Sequence, residues 1–261
     1  LAGLETRVIM LGFGHDHDTL KYSDETNDTN PFLDPRVRLA VAQAIDVDTI
    51  DRVIMRGAAE PASQLLPAGL SGFSDEHADR PDFDAEAAKA LLAEAGYADG
   101  FSFGLMCTND RYINDEAVCR AVASMLARIG VTANVNAMPV RGYWDELRAD
   151  NFDMYLLGWS PGTFDAEHPI RFLAHTPTER LGTWNFGGYS SARIDELLEP
   201  IQQEIDEAAR QAMLDEVAGI LQEDVAYVPL YTEPLIWAMK DSIDVVQRPD
   251  NFFMLRWVSV N

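Results

Sequence analysis

The chain has 261 residues, of which 47% are hydrophobic and 24% charged, a balance typical of a folded globular protein rather than a disordered one. Its 20 Lys and Arg against 43 Asp and Glu give a formal charge of −23. This argues against nucleic acid and anionic membrane as partners, because binding a polyphosphate requires a concentrated positive surface. No stretch approaches the roughly 18 apolar residues of a membrane helix. The chain starts at Leu1 without an initiator Met or a visible signal peptide, so we expect it to be processed or cut.

Helix start and stop signals organise the first hundred residues. Asp34 followed by Pro35 is typical of a helix N-cap and of the first helical position. Glycines at 57 and 96 each end a predicted helix. The predicted elements are, in chain order, a strand over 6–11, a polar loop over 23–30, a helix from Pro35, a helix ending at Gly57, a long irregular loop over 58–83 and a helix over 84–95.

The clearest unit lies between 101 and 138. Residues 101–107 alternate apolar and polar, which predicts a strand with one buried face. Residues 115–129 carry one apolar stripe at helical spacing and end at Gly130, and 131–138 alternate again. A strand, a helix and a strand in this order predict a right-handed crossover and parallel pairing.

The second half of the chain continues this mixture of helices and strands. An apolar run over 154–157 predicts a buried strand, and an aromatic, glycine-rich, irregular stretch follows over 158–191. Two amphipathic helices come next, the first with Ile194 to Ile205 on its inner face and the second with Met213 to Leu221. Strands and turns alternate over 227–260. Interleaved strands and helices indicate an α/β fold.

Two cysteines lie twelve residues apart, at 107 and 119. They would pair in an oxidising compartment. No C-x-x-C or mixed Cys/His spacing accompanies them, so we expect two unpaired thiols, each packed as a small apolar side chain.

Ser160 is the candidate catalytic residue. Residues 158–162 match G-x-S-x-G, the nucleophile elbow of α/β-hydrolases, and follow a predicted strand. However, the residue after the nucleophile must donate its backbone N–H to the oxyanion hole, and Pro161 has none. The triad histidine should also lie well downstream, and the last histidine is His175. A serine hydrolase is therefore the alternative hypothesis only.

Residues 15–18, HDHD, are the candidate metal ligands. In an extended segment only alternate side chains share a face, so at most His15 and His17 meet. Two imidazoles fall short of the three or four ligands of a zinc site. We predict a solvated polar loop and no metal.

Aromatic and acidic side chains gather between Trp159 and Trp184. Apolar walls with sparse polar groups are typical of a ligand cleft, although ordinary loop packing would use the same residues. A polar loop over 109–112 follows the strand 101–107. Loops at the carboxyl ends of strands line the crevice of an open α/β sheet, so we expect this loop and the one after 154–157 to be neighbours.

Five segments, in order along the chain, resemble signatures of family-5 extracellular solute-binding proteins, the dipeptide- and oligopeptide-binding receptors of ABC importers. They are 30–46 (NPFLDPRVRLAVAQAID), 90–100 (ALLAEAGYADG), 126–131 (LARIGV), 152–159 (FDMYLLGW) and 185–198 (NFGGYSSARIDELL). Each is short, and together they are spread over residues 30–198, which is most of the chain.

The resemblance implies an α/β fold, the C-terminal lobe of a type II periplasmic-binding-protein fold, with an open mixed sheet flanked by helices. Residues 1–235 would form the ligand-binding lobe, and 236–261 would be a tail returning to a missing N-terminal lobe. Strands near 6–13 and 228–235 would cross the hinge. The implied function is capture of a small peptide or peptide-like solute between two lobes and its delivery to a membrane ABC permease. The resemblance implies no catalysis, cofactor or metal and a periplasmic location, and we predict a monomer.

The resemblance also implies ligand-binding residues. Peptide binders place an acid after "G-W" for the ligand's amino terminus, which matches Asp165, with Glu167 as the substitute. They hold the ligand carboxylate with an Arg, and a gapless comparison places Asp110 there with Arg111 beside it. The predicted ligand-binding residues are Asn109, Arg111, Tyr112, Trp159, Asp165, Glu167, His168 and Trp184. A receptor that uses the same lobe to meet a partner protein is a further alternative.

Overall fold

The computed structural model describes residues 1–23 and 29–260. Most of the polar loop predicted over 23–30 falls on 24–28, outside the described residues. Within the described part of the chain, no helix combines the length and apolarity that a membrane crossing requires.

The chain alternates strands and helices as predicted. The strands are β1 (Ala2–Phe13), β2 (Glu60–Pro61), β3 (Phe101–Thr108), β4 (Val131–Met138), β5 (Met154–Trp159), β6 (Tyr227–Ile236), β7 (Ile243–Asp244) and β8 (Ser259–Val260). The α-helices are α1 (Pro35–Ala44), α2 (Val47–Ile50), α3 (Ala85–Glu94), α4 (Asp115–Ala127), α5 (Val140–Arg148), α6 (Glu167–Pro169), α7 (Ala192–Gln203) and α8 (Glu207–Glu223). Single π-helical turns extend α2 over Asp51–Met55 and α6 over Ile170–Ala174.

Local capping explains where α1 begins. The Asp34 carboxylate accepts a hydrogen bond from the Arg36 backbone N–H, and Pro35 occupies the first helical position, where a missing N–H costs nothing. Asp84 caps α3 in the same way. The predicted start of each helix is confirmed.

One open mixed sheet of six strands runs in the order β2-β6-β1-β5-β3-β4. β3 pairs in parallel with both β4 and β5, while β1 pairs antiparallel with both β5 and β6. The predicted unit of strand, helix and parallel strand is therefore confirmed in β3, α4 and β4. The open mixed sheet flanked by helices confirms the predicted fold class.

Helices cover both faces of the sheet. On one face, α1, α2, α3 and α4 bury a core that includes Phe32, Val41, Ile50, Phe103 and Val122. On the other, α5, α7 and α8 bury a second core that includes Tyr143, Leu157, Ile194, Leu198 and Val217. The prediction that β3 buries one face is wrong, because all eight of its residues are buried. A strand between β5 and β4 with helices on both sides has no solvent face.

Two further predictions are corrected by the structure. Cys107 and Cys119 form a disulfide between β3 and α4, so the expectation of unpaired thiols is wrong. Sequence spacing could not show that α4 returns along β3 and brings the two side chains together. Ile205, predicted on the inner face of the first amphipathic helix, is 94% exposed because α7 ends at Gln203.

The last residues form a tail with little regular structure after β6. It contacts the start of β1, where the Thr6 N–H donates to the Pro249 carbonyl at 2.7 Å. Several large apolar side chains in it are exposed, among them Phe252, Phe253, Leu255 and Val260. The division of the chain at residue 236 stays a prediction.

Candidate ligand-binding site

The parallel strands β3, β4 and β5 end at the same edge of the sheet, which we call the carboxyl edge. Loops over 109–114 and 160–166 leave from it. Because β3 and β5 are hydrogen-bonded neighbours, the two loops that the sequence predicted to be adjacent do start side by side. In open α/β sheets ligands bind outside this edge.

An aromatic cluster covers one side of the carboxyl edge. It centres on Trp159, the last residue of β5, which is 9% exposed. The Trp159 ring centroid lies within 5.6 Å of those of three partly buried side chains, His168, Phe172 and Trp184. The whole aromatic cluster consists of Trp144, Trp159, His168, Phe172, Trp184 and Phe186. The structure thus brings together three of the predicted binding residues as a partly exposed apolar wall.

His168 is held in this cluster by a hydrogen bond. The Trp159 indole N–H donates to His168 Nδ1 at 3.2 Å, which requires that nitrogen to be unprotonated. Burial lowers the pKa of His168 below its usual value. His168 therefore contributes a neutral ring rather than a charge.

Asp165 has partners within the protein. Arg210 of α8 donates to both carboxylate oxygens, at 3.0 and 2.6 Å, and the Ser71 hydroxyl donates at 2.7 Å. Burial would raise the pKa of Asp165, but the hydrogen bonds from Arg210 and Ser71 outweigh it and lower the pKa. This carboxylate joins the loop over 58–83 to α8, and the pairing of Asp165 with a ligand cation stays a prediction.

Glu167, the substitute for Asp165, lies nearby at the start of α6. Its carboxylate accepts a hydrogen bond from the Gln202 side chain at 2.5 Å. Asp165 and Glu167 line an open depression of about 350 Å³ with Arg171, Gln202 and Arg210. Asp165 and Glu167 therefore share this depression with two basic side chains, Arg171 and Arg210.

Residues 109–112 form the other side of the carboxyl edge. Asn109 and Arg111 are exposed, and the Arg111 guanidinium lies 5.2 Å from the centre of the Tyr112 ring. Tyr112 is buried, and its hydroxyl accepts a hydrogen bond from the Gly158 N–H at 2.9 Å. Asp110 accepts from the Val140 N–H at 2.7 Å, which supports the start of α5. Asp110 therefore has a structural role, and Arg111 is the exposed cation of this loop.

Sequence reasoning missed a buried charged group on the first and sixth strands, formed by Glu5, Arg7 and Glu233. Arg7 donates to both Glu5 oxygens, and its Nε lies 3.2 Å from Glu233 Oε2. Glu233 also accepts from the Ile113 N–H at 2.8 Å, so the group adjoins the loop over 109–114. Burial raises the pKa of Glu233 to about 7 and outweighs the opposing effects of Ile113 and Arg7. The sequence signal that could have indicated this group is the pair of charged residues, Glu5 and Arg7, at alternate positions of a largely apolar strand.

We expect Glu233 to make the fold less stable as the pH rises from 5 to 8. Its pKa is about 7 in the folded chain against an ordinary value of 4.5, so the folded state holds more protons between these values. Its contribution is complete below about pH 4.5 and is lost as the pH rises through 7, up to roughly 3 kcal/mol. Urea denaturation at pH 5 and 8 measures the loss.

Two variants isolate this effect from the general repulsion of an acidic chain. Glu233→Gln should lose less stability between pH 5 and 8 than the wild type, whereas Glu76→Gln, at an exposed position, should match the wild type. Identical pH dependence in all three proteins would refute the assignment to Glu233.

The HDHD stretch is a loop with two exposed aspartates, as predicted, but its histidines are not solvated. His17 is 7% exposed, and His15 Nε2 lies 3.1 Å from the Ala226 carbonyl. Burial lowers the pKa of His15 to about 4. Asp16, His17 and Asp150 place potential ligand atoms within 4.8 Å of one another, but the Lys21 ammonium lies 2.6 Å from Asp150 and already supplies a cation.

The sequence matches a known family over most of its length. The family described as "Bacterial extracellular solute-binding proteins, family 5 Middle" matches residues 3–179. The chain belongs to this family. The resemblance inferred from the five segments is thereby confirmed.

Relatives and solved structures agree with this membership. The glutathione-binding protein GsiB of Escherichia coli (strain K12) is 26% identical over 213 residues, which are 80% of this chain and 41% of that protein. The oligopeptide-binding protein AppA of Bacillus subtilis, solved with a nonapeptide, is similar over all of this chain and 52% of its own, at 18% identity and a TM-score of 0.83. A dipeptide-binding protein of Pseudoalteromonas sp. SM9913, solved with Met-Leu, gives a TM-score of 0.80 at 21% identity over all of this chain and 50% of its own. This solute-binding chain spans about two fifths of the length of the curated relatives it matches.

The serine-hydrolase alternative has no support. The family and its structural neighbours are binding proteins rather than enzymes. The Ser160 hydroxyl lies 2.7 Å from the Thr6 hydroxyl. All five histidines lie in the described part of the chain. Each forms its hydrogen bond with a residue other than Ser160, so none is placed to act as its base.

Proposed function

We propose that this chain is the C-terminal lobe of the substrate-binding component of an ABC importer. It binds a small peptide or peptide-like solute at the carboxyl edge, where a second lobe closes over it, and the loaded receptor meets a membrane permease. The observation that carries this proposal is the pairing of a partly exposed aromatic wall with an exposed arginine at one edge of a solute-binding fold. Apolar walls with few oriented polar groups suit a small ligand.

Peptide-like chemistry is favoured by the relatives. GsiB binds glutathione, and the two solved structures hold a nonapeptide and the dipeptide Met-Leu. These ligands combine apolar or amide surface with a carboxylate, which matches the aromatic cluster and Arg111. Trp159 and Trp184 serve as apolar walls, and Asn109 offers hydrogen bonds.

The two-lobe arrangement is supported by the tail. Residues 237–260 expose large apolar side chains along a segment with little structure of its own. Covering them removes apolar surface from water, which a neighbouring lobe achieves. Residues 1–235 then form the binding lobe, and β1 and β6 form the hinge.

A periplasmic location follows for the same receptor. The disulfide between Cys107 and Cys119 suits an oxidising compartment. The charge of −23 suits a protein that stays monomeric through self-repulsion and avoids nucleic acid.

A ligand panel tests the proposal. Glutathione, Met-Leu and a nonapeptide are added to the whole receptor, and thermal unfolding and calorimetry are recorded. We expect at least one solute to raise the unfolding temperature, because at 100 times its Kd a ligand adds about 2.7 kcal/mol to stability. The 261-residue lobe should bind the same solute far more weakly, since it provides only part of the contacts.

Two variants test whether the solute binds in the cleft. Trp184→Ala should weaken binding, whereas Phe83→Ala, an exposed aromatic on the loop over 58–83, should leave the affinity unchanged. Absence of binding by every solute would refute the proposed function, and equal affinity of lobe and receptor would refute the two-lobe arrangement.

A further inference from the structure

A cavity of about 70 Å³ lies between α8, the loop over 58–83 and the start of β6. Its apolar wall comes from the loop, the π-helical turn after α6, α8 and β6. The buried apolar side chains in this wall include Leu65, Leu66, Ile170, Leu214, Val217 and Val228. Most of its surface is therefore apolar.

This cavity is separate from the cleft at the carboxyl edge. None of the eight ligand-binding residues predicted from the sequence lines it. Tyr227, in the cavity wall, is level with Tyr155 near the start of β5, because both pair with Gly12 of β1. β5 reaches the carboxyl edge at its other end, at Trp159. The cavity is therefore not an extension of the proposed solute site.

Hydrogen bonds fix the polar side chains of the cavity wall. The Gln64 side-chain amide donates to the Ser74 carbonyl at 2.7 Å. His77 Nδ1 lies 3.0 Å from Gln222 Oε1 of α8, and the Gln222 amide donates to the Asp79 carbonyl at 2.6 Å. These bonds attach residues 77–79 to α8, so the next residue, Arg80, leaves from a fixed segment.

Arg80 lines the cavity and is half-buried. Its Nη1 donates to the carbonyls of Ala62 and Pro229. In the described part of the chain, its Nε and Nη2 have no acceptor and no acid forms an ion pair with it. The Nε–H and Nη2–H bonds lie on the same side of the guanidinium, the edge that can bind both oxygens of a carboxylate. This carboxylate-binding edge is left open.

The charge of Arg80 lacks a close counter-ion. Burial lowers the pKa of Arg80 to about 10, and Asp48, which lies too far away to form an ion pair, opposes this only in part. The guanidinium therefore stays charged at pH 7. Taking a charge out of water is costly unless it is paired, so an anion at the free edge would be stabilised.

We propose that this cavity is a second ligand site, which binds a short-chain aliphatic carboxylate through the free edge of Arg80. A cavity of about 150 Å³ holds benzene in another protein, so about half that volume suits a tail of roughly three carbons. The apolar wall removes this tail from water while the carboxylate stays beside Arg80. Butyrate has this form. The site does not depend on the proposed function, since it shares none of the predicted binding residues.

Matched small molecules test the site in the whole receptor by calorimetry at pH 7. Butyrate and butyramide have nearly the same shape and differ in charge. We expect butyrate to bind about 10-fold more tightly or better, as for a charged hydrogen bond. Each methylene added from acetate to propionate to butyrate should tighten binding about fourfold, because it leaves water for the cavity.

Variants locate the site. Ala218 lines the cavity from α8, and a leucine side chain there occupies the space of the tail, so Ala218→Leu should weaken butyrate binding about 10-fold or more. Ala212→Leu, at an exposed position of the same helix outside the cavity, should match the wild type. Arg80→Lys keeps a cation near the two carbonyls but lacks the paired N–H edge, so it should lower the affinity about tenfold.

Each contrary result overturns the site. Equal affinity for butyrate and butyramide would remove the role of Arg80, and unchanged binding in Ala218→Leu would place butyrate elsewhere. Absence of butyrate binding by the folded receptor would refute the site directly. The butyramide comparison and Ala218→Leu decide the matter even if Arg80→Lys does not fold. The proposed function is judged by the peptide solutes alone, so the two can fail independently.

Discussion

Replacing Gly100 by alanine should destabilise the fold by roughly 3–5 kcal/mol, from backbone strain and overpacking together. Gly100 precedes β3 with φ +77°, a left-handed conformation that side chains rarely adopt. A Cβ at this position would lie 1.9 Å from the Gly130 carbonyl oxygen, at the turn between α4 and β4. Neither backbone can move without disturbing the parallel pairing of β3 and β4. Urea denaturation of the wild type and the Gly100→Ala variant gives the difference directly.

Gly142 provides the matched control. It lies within α5, and a Cβ there would meet no atom within 4 Å. Gly142→Ala should therefore stabilise the protein by about 0.5–1 kcal/mol, because alanine restricts the unfolded chain and favours the helix. Equal stability of the Gly100→Ala and Gly142→Ala variants would contradict the close approach of the two turns.

Removal of the disulfide should cost about 2–4 kcal/mol in a Cys107→Ala/Cys119→Ala double variant, because the crosslink restricts the unfolded chain. Both side chains are fully buried, so each substitution also removes packed atoms. The closed loop contains residues 109–114, which carry Asn109 and Arg111. Solute affinity should therefore fall together with stability, because the loop that presents Arg111 loses an anchor at each end.

A reducing agent separates the crosslink from the packing. Dithiothreitol should lower the stability of the wild type under conditions where thiol titration shows full reduction, and it should leave the double variant unchanged. A wild type that is fully reduced and equally stable would show that the crosslink contributes nothing.

Local sequence signals were sufficient for the helices and for the parallel unit. α1 begins at Pro35 because the Asp34 carboxylate caps it by accepting the backbone N–H of Arg36, only two residues away. The β3, α4, β4 unit follows from periodicity within about forty residues and from the handedness of such crossovers. The burial of β3 on both faces was missed because alternation records side-chain type, whereas burial depends on what the sheet order places on each side.

The binding groups show the opposite situation. Asp165 looked available to a ligand until Arg210, 45 residues later, was found bonded to both of its oxygens. Conversely, the sequence shows Arg7 only as one charge in a strand. Its ion pair with Glu233, on the sixth strand, exists only in the folded chain. Short motifs specify which side chains are present but not which of them neutralise each other.

The sequence by itself determined the family, the α/β class and the loops at the carboxyl edge, since these depend on short-range patterns and on motifs that occur in a fixed order. Only the tertiary structure decided the cysteine pairing, the partner of Asp165 and the pairing of Arg7 with Glu233. The physical reason is that a charge or thiol acts through neighbours within a few ångströms, and folding supplies those neighbours from distant parts of the chain.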